Sequence, residues 1–372
     1  MATVFNQDTR TLRLDGPSDE LVLTAFSGRE EVSRPFQFQL EMFSENLDID
    51  PKKIVGQKVT FSMMRSDQSF RHFHGHVSRF AAGDEKDGRR SYRAEVVPWL
   101  WFLTRTSDCR IFQNKTLPEI IKQVFDDLGF NDYKMNLVEK HPTWEYCVQY
   151  RETDFNFVSR LMEQEGIFYY FLHDKGKHTL VLGDHKGAYY DCAEKTVDFP
   201  PDIGTRIIKD CLTSWERSWE FGSGKWAQTD YNFETPSTSL LTETESIGTI
   251  PGIKKYEVFD FPGEYEKKDD GKADTRIRME EVEAGFDVAA GSSCCKTFAP
   301  GAKFSIGSHR SESEQGKSYM IKAITHSARE LQAYETGGGS AGGTDYQNHF
   351  SCIPDSVAFR RSEEHTSELQ SH

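Results

Sequence analysis

Hydrophobic and polar residues alternate along the first hundred positions of the chain. Phe36, Phe38 and Leu40 are separated by single polar residues, and the same alternation recurs around Val59. A period of two is expected for strands that bury one face. Short strands at these intervals predict that residues 1–104 form a small antiparallel β-barrel.

The pattern changes to a helical period after Asp108. Thr116 and Glu119 form a capping box around Pro118, which the first turn of a helix tolerates, and Gly129 follows at the far end. The apolar stripe of this predicted helix consists of Leu117, Ile120, Ile121, Val124, Phe125 and Leu128.

A strand, a capped helix and a second strand are predicted within Tyr146–Phe171. Thr153 and Asp154 supply the N-terminal cap, and Gly166 ends the helix. Its apolar positions are Phe155, Val158, Leu161 and Met162. Together with the preceding helix, this segment predicts an α+β unit over residues 105–190, whose apolar stripes are core faces rather than cofactor contacts.

The next hundred residues carry a weaker pattern. Ile203–Trp226 is strand-like, and Asp274–Ala284 predicts a helix closed by Gly285 with Ile277 facing inward. Thr235–Gly252 is rich in Thr and Ser and is interpreted as an exposed loop. By its composition, the run Gly337–Gly343 is expected to be a flexible hairpin tip.

The chain contains a faint internal repeat. Each copy has a glycine followed by a strand, then a second strand, then an apolar strand that ends at a proline. The first copy is Gly56–Ser62, His74–Phe80 and Tyr92–Trp99, and the second is Gly301–Ser308, Ile321–Arg329 and His349–Asp355. The repeat predicts a second barrel after connecting segments within residues 191–346, with its last strand in 347–360. The predicted fold is therefore mostly β within the α+β class, with two similar antiparallel β-barrels and an α+β unit between them.

Several separated segments resemble one protein family in that family's order. The segments are GREEVSRPFQFQLE at Gly28–Glu41, CRIFQNKTLPEIIKQVF at Cys109–Phe125, YCVQYRETDFNFVSRLMEQEGIFYYF at Tyr146–Phe171, and FSCIPDSVAFR at Phe350–Arg360. The chain is similar over nearly its whole length to VgrG, the valine-glycine repeat proteins that form the trimeric spike of the bacterial type VI secretion system and are related to phage tail hubs.

The resemblance implies a homotrimer that caps the secreted tube and helps to puncture target membranes and deliver effectors. The implied partners are the hexameric tube protein Hcp, a PAAR-type tip protein, effectors and baseplate components. A trimer with two similar barrels per chain would present six similar units to a sixfold ring. Family members continue past Phe359 into an oligonucleotide/oligosaccharide-binding-type barrel and a β-helix needle, and we expect both to be missing here.

The last twelve positions, 361–372, have no apolar periodicity and no counterpart in the family. Their sequence is similar to the in-frame translation of a sequencing adaptor. We therefore expect a non-native tail and set it apart from the fold.

The charge and hydropathy of the chain disfavour two classes of protein, those that bind nucleic acid and those that span a membrane. The chain has 372 residues, with 45 Lys and Arg against 59 Asp and Glu, for a formal charge of −14. This charge repels phosphate backbones and disfavours nucleic acid as a partner. Neither a signal peptide nor an apolar run long enough to span a membrane is visible, so we expect a cytoplasmic protein. The resemblance implies that it is later secreted or translocated by the type VI system.

The seven cysteines form an odd set without Cys-x-x-Cys spacing, which argues against a disulfide framework and a zinc ribbon. A bridge between the neighbours Cys294 and Cys295 would be strained, so reduced thiols are expected. His72, His74 and His76 share one strand face and could supply imidazoles to a metal, but solvated or interface histidines are the favoured interpretation.

Acidic pairs such as Glu163 with Glu165, or Glu280 with Glu281, raise the question of glycosidase chemistry. Their helical context favours solvated surface carboxylates instead. Motifs of the common catalytic classes are missing from the sequence, and we assign no catalytic, cofactor or metal residues and no enzyme activity. Two alternatives stay open: the hub of a phage tail or extracellular contractile particle, and the carrier of an effector enzyme lost by truncation.

Overall fold

The computed structural model describes residues 7, 10–200, 210–248, 250–331 and 343–362. These residues form twenty strands and three α-helices. The first half of the chain contains β1 (Leu12–Asp15), β2 (Val22–Glu31), β3 (Arg34–Ser44), β4 (Lys58–Met64), β5 (Phe70–Lys86), β6 (Arg89–Val97), β7 (Ser107–Thr116), α1 (Leu117–Asp127), β8 (Tyr133–Asn136), β9 (Thr143–Thr153), α2 (Asp154–Gln164), β10 (Phe168–Asp174) and β11 (Lys177–Gly183). The second half contains β12 (Tyr190–Val197), β13 (Leu212–Trp219), β14 (Lys225–Gln228), β15 (Thr242–Glu245), β16 (Glu257–Asp260), α3 (Lys268–Glu283), β17 (Asp287–Ser293), β18 (Ala302–Ile306), β19 (Ser318–Leu331) and β20 (Gly343–Pro354).

Twelve strands form one large sheet that contains two units with the same strand order. In the first six-stranded unit the order is β1-β4-β5-β6-β3-β2, and in the second six-stranded unit it is β12-β18-β19-β20-β17-β13. The strands that occupy equivalent positions also follow each other in the same order along the chain. In chain order, β1, β2, β3, β4, β5 and β6 of the first unit correspond to β12, β13, β17, β18, β19 and β20 of the second. This arrangement agrees with the internal repeat seen in the sequence and confirms a mostly β fold.

Hydrogen bonds between two of their strands join the two six-stranded units into one sheet. β2, at the edge of the first unit, pairs antiparallel with β19, and Ser27 lies opposite Ser327. The pair β12–β18 is parallel, so the second unit is not purely antiparallel. β20 begins before position 347 and ends at Pro354, so the predicted boundary at 346/347 falls inside a strand.

The α+β unit lies between the two six-stranded units in the chain and contains β7–β11, α1 and α2. As predicted, Glu119 accepts a hydrogen bond from the backbone N–H of Thr116 at 2.8 Å, and the hydroxyl of Thr153 accepts one from the N–H of Asn156 at 3.1 Å. Gly129 has a φ of 76°, a conformation that glycine adopts without strain and that suits a helix end.

A smaller inserted unit interrupts the second six-stranded unit between β13 and β17. It comprises the three-stranded sheet β15-β14-β16 and helix α3. The prediction of a loop over Thr235–Gly252 was wrong for Thr242–Glu245, which form β15. Thr244 on β15 donates a hydrogen bond to Thr275 of α3 at 3.0 Å, which gives this polar segment a packing partner.

The largest apolar core joins the first six-stranded unit to the α+β unit, and a second core fills the second six-stranded unit. In the first core, the rings of Phe61 and Phe73 are stacked with their centroids 5.0 Å apart.

The helices in the described segments lack the length and apolar character needed to cross a membrane. The predicted hairpin tip at positions 337–342 and the tail from position 363 lie outside the described residues.

Candidate functional site

Glu30 is the centre of a buried polar junction between three of the units. Its carboxylate accepts hydrogen bonds from Nε2 of His173 on β10 at 3.1 Å and from Nε2 of His326 on β19 at 2.8 Å. The guanidinium of Arg71 on β5 lies 3.5 Å away. Arg71 also donates to the backbone carbonyl of Phe298 at 2.9 Å. One carboxylate therefore joins both six-stranded units to the α+β unit.

The hydrogen bonds around Glu30 assign the protons of the two histidines. Nδ1 of His173 accepts the backbone N–H of His74 at 3.1 Å, so its Nε2 carries the proton. Nδ1 of His326 lies 2.8 Å from the Tyr346 hydroxyl, which donates to it. Burial lowers the pKa of His326, which keeps its imidazole neutral at neutral pH.

Glu30 itself remains ionised. Burial raises the pKa of its carboxyl, but hydrogen bonds from His173 and His326 outweigh that effect and hold the pKa well below its usual range. A buried carboxylate needs such partners, since an unpaired buried charge is strongly destabilising. The junction is therefore a structural connection between the units.

The three histidines of β5 do not converge on one point. His72 contacts the Ser62 hydroxyl at 2.7 Å, whereas His74 lies 2.8 Å from Nδ1 of His178 on β11. Burial lowers the pKa of His74 and of His76 to about 4, so both are neutral near pH 7. Among the described residues, no group of three or more His, Cys, Asp or Glu side chains could hold a metal ion.

Glu163 of α2 and Glu165, which directly follows that helix, are not solvated surface groups, so that prediction was wrong. Glu163 is only 3% exposed and forms an ion pair with Arg361 at 3.0 Å. Glu165 accepts hydrogen bonds from His141 at 2.5 Å and from the indole N–H of Trp144 at 2.8 Å. The helical pattern missed these contacts because the partners come from distant parts of the chain.

His141 is held between two carboxylates. Its Nδ1 contacts Glu165, and its Nε2 lies 3.2 Å from Asp184. Asp184 also accepts the backbone N–H groups of Val138 and Glu139. Burial lowers the pKa of His141, but hydrogen bonds from its ring to Asp184 and Glu165 outweigh that effect and raise the pKa to about 9. His141 is therefore a cation at neutral pH and fixes the loop before β9 to α2 and β11.

Arg360 anchors the end of the family-like sequence. Its guanidinium donates to the carbonyls of Gly166 and Asp184, at 2.5 and 2.7 Å. It also pairs with Glu280 of α3 at 2.7 Å. Glu280 and Glu281 are both half-buried, and Glu281 pairs with Arg278 on the same helix. Arg360 therefore fixes the chain after β20 to the α+β unit and the inserted unit.

Two regions of the protein surface expose large apolar side chains. On the ribbon formed by β7 and β9, Ile111 lies opposite Val148, and Tyr146 and Tyr150 occupy neighbouring positions of the same face. Ile111 is 59% exposed and Tyr146 is 56% exposed. The other region is the inserted unit with its base, where the exposed large apolar residues are Trp219, Phe221, Tyr231, Phe233, Leu241, Ile247, Tyr256, Phe259 and Phe261. Concentrations of exposed apolar residues are typical of protein–protein contact sites.

The burial of Glu30 could have been detected in the sequence. Glu30 follows Phe26 and Gly28 at a period of two, so it belongs to the buried face of β2 and required a partner there. The contacts of His141 and Arg360 could not be predicted from the local sequence, because their partners depend on how the units pack together.

Comparisons with known proteins agree with this fold. The sequence profile of the phage tail baseplate hub family (GPD) matches residues 29–332. The chain is 38% identical over 358 residues to the type VI secretion system spike protein VgrG1b of Pseudomonas aeruginosa, which covers 95% of this chain and 48% of that protein. VgrG1a of the same organism is 37% identical, with 95% of this chain and 55% of that protein covered. The chain thus spans about half the length of these curated relatives.

Solved structures show the same fold at lower identity. An E. coli protein described as a component of the type VI secretion system, with structural similarity to the T4 tail proteins gp27 and gp5, superposes with a TM-score of 0.68 at 20% identity, over 95% of this chain and 79% of that one. A 43 kDa prophage tail protein of Shewanella oneidensis superposes with a TM-score of 0.62 at 14% identity, over 94% of this chain and 99% of that one. The chain belongs to the phage tail baseplate hub family, in which the VgrG spike proteins are its relatives.

Proposed function

We propose that this chain forms the hub of a type VI secretion spike. The observation that carries the proposal is the 38% identity to a VgrG spike protein over 95% of the chain. The two six-stranded units with one strand order support it, because a trimer of such chains would present six similar units around its axis. The role is structural: the trimer caps the secreted tube and transmits force to the spike that follows.

The proposed partners are those of a spike hub. Two further copies of the chain complete the trimer, and the hexameric tube protein Hcp docks on the ring of six units. Baseplate components contact the hub from outside, for which the apolar faces of the β7–β9 ribbon and the inserted unit are suited. A PAAR-type tip protein and effectors would be carried by regions that lie beyond this chain in the longer relatives. The hub assembles in the cytoplasm and leaves the cell when the system fires.

We propose that the chain itself is not an enzyme. The acidic residues that raised the question of glycosidase chemistry are engaged in structural contacts, Glu163 with Arg361 and Glu165 with His141. The actin cross-linking toxin VgrG1 of Vibrio cholerae, 28% identical, is matched over 94% of this chain but only 33% of that protein. A toxic activity in such a relative can therefore reside outside the matched region.

A chimera tests the proposal. Residues 1–360 would replace the matching half of P. aeruginosa VgrG1b in a strain that lacks its own VgrG proteins. We expect the tube protein to appear in the culture medium. The matched control is the same chimera with Glu30→Ala, which disrupts the junction between units and should abolish secretion. A chimera that forms trimers but releases no tube protein would contradict a hub role in type VI secretion.

A second candidate is the hub of a phage tail or related contractile particle. The observation that supports it is the match of residues 29–332 to the phage tail baseplate hub family (GPD). The chimera distinguishes the two, because a phage hub would trimerise without supporting type VI secretion.

A further inference from the structure

Cys211 and Cys294 lie opposite each other at one end of the β13–β17 pair. Leu212 is paired with Ser293, and the ladder extends one position further because the N–H of Cys294 donates to the carbonyl of Cys211 at 3.2 Å. Directly opposed residues of antiparallel strands have Cα atoms roughly 4.5–5.5 Å apart, within the range that a disulfide bridges. The Cα spacing expected for this pair therefore lies within the range that a disulfide bridges.

The two thiols are in contact but not bonded. Their Sγ atoms are 3.9 Å apart, and all seven cysteines, each within the described residues, are reduced. Rotation about the side-chain bonds would have to bring the sulfurs to about 2.0 Å. The strain that disfavours a bridge between Cys294 and Cys295 does not apply here, because Cys211 approaches from a different strand.

Burial and exposure set the order in which the thiols would react. Cys294 is half-buried, whereas Cys211 is 7% exposed and Cys295 is fully buried. Burial, reinforced by the neighbouring Cys294, raises the pKa of Cys211 to about 11, so Cys211 remains a thiol at neutral pH. A reagent from solution therefore meets Cys294 first.

We propose that Cys211 and Cys294 form a redox modification site that a low-molecular-weight disulfide, such as oxidised glutathione, converts into an intramolecular disulfide. The Cys294 thiol loses its proton to water, and its sulfur attacks one sulfur of the reagent, which forms a mixed disulfide and releases one glutathione. Cys211 then loses its proton and attacks the Cys294 sulfur, and the second glutathione leaves. The two cysteines lose two electrons, which reduce the reagent to two thiols.

Closure of this disulfide would join β13 and β17 at the end of the pair opposite to Trp219 and Asp287, where the inserted unit begins and ends. β13 and β17 are the strands from which the inserted unit projects, and the two cysteines are 83 positions apart. A cross-link over a long loop stabilises the folded state mainly by constraining the unfolded chain. The site would stay open in a reducing compartment and close in an oxidising one.

The full chain is incubated in glutathione buffers of increasing oxidised fraction, then denatured and treated with N-ethylmaleimide, and its peptides are mapped by mass spectrometry. We expect the intact mass to fall by two hydrogens, a peptide pair joining Cys211 to Cys294, and a rise in melting temperature that dithiothreitol reverses. Cys109 is exposed on β7, so C109S is a matched control that should behave like the unaltered chain.

C294S should remove both the cross-linked peptide and the redox dependence of the melting temperature. The proposal is overturned if Cys211 and Cys294 both still react with N-ethylmaleimide at the most oxidising ratio. It is also overturned if glutathione stays attached to Cys294 without ring closure, or if Cys294 joins Cys295 instead. The peptide map of the unaltered chain decides the question even if C294S does not fold.

Discussion

His326 donates a hydrogen bond to Glu30 across 2.8 Å, although 296 positions separate them in the chain. β2 and β19, which carry these residues, are also the pair through which the two six-stranded units join into one sheet. The His326 side chain is fully buried and that of Glu30 is 3% exposed. The contact therefore helps to hold the two six-stranded units in fixed positions relative to each other.

Glu30→Gln is expected to destabilise the protein strongly. The amide would leave Arg71 without its buried counter-charge and would turn an N–H₂ group toward one of the two histidine donors. Removal of one partner from a buried charged network costs roughly 3–5 kcal/mol. Urea unfolding followed by tryptophan fluorescence measures the change.

The matched control is Glu41→Gln on β3. Glu41 is 56% exposed and lies 3.6 Å from the exposed Arg329, and such surface pairs contribute less than about 1 kcal/mol. Equal effects of the two substitutions would show that the Glu30 junction is not a stabilising contact.

The raised pKa of His141 predicts that the protein loses stability in mildly alkaline solution. Its pKa is raised to about 9 in the folded protein from an ordinary value of 6.5, so the folded state binds more protons than the unfolded state between these values. The stabilisation is fully present below pH 6.5 and is lost as the pH rises through 9, by up to about 3 kcal/mol.

The measurement is the free energy of unfolding from pH 6 to pH 10 in the unaltered protein and in His141→Gln. We expect the difference between the two proteins to shrink as the pH rises. A difference that stays constant over this range would mean that His141 is not charged between Glu165 and Asp184.

Glu163 and Glu165 are expected to affect stability and not catalysis. Glu163→Gln weakens the ion pair with Arg361 and should cost about 1–3 kcal/mol. Peptidoglycan lysis should be undetectable before and after either carboxylate is replaced. Glu145→Gln, at an exposed position of β9, is the control and should stay within about 0.5 kcal/mol. Wall lysis that disappears with Glu163→Gln or Glu165→Gln would support an enzyme instead.

The contact of Arg361 also bears on the expected tail at positions 361–372. The Arg361 side chain is 10% exposed and joins Glu163, so the folded region includes at least this residue. A deletion that begins at position 361 should therefore lower stability more than one that begins at position 363. Equal stability of the two would show that Arg361 makes no net contribution.

Assembly should be trimeric but dependent on concentration. The resemblance implies that a β-helix needle in the longer relatives intertwines the three chains, whereas we expect this chain to supply only lateral contacts. A complex held by such contacts dissociates as the protein is diluted. Light scattering should give mostly monomer at low micromolar concentration and a shift toward trimer above it. A stable dimer would contradict the threefold hub, and a trimer at nanomolar concentration would show that these contacts suffice alone.

Local sequence determined the elements whose ends depend on near neighbours. The starts of α1 and α2 were predictable because Thr116, Glu119 and Thr153 bond to backbone groups within three residues. The glycine at position 129 marked the end of α1 for the same reason. The internal repeat was visible because each copy keeps its own alternation, and the strand order agrees with it.

Tertiary structure decided which polar side chains are buried. Glu163 lies in α2 and Glu165 directly follows the helix. Both carboxylates are engaged by residues from other parts of the chain, namely Arg361, His141 and Trp144. β15 was hidden in a Thr-rich segment because its partner α3 lies beyond it in sequence. Periodicity reports which face of an element is apolar, but the burial of a charge depends on a partner that only the packed chain supplies.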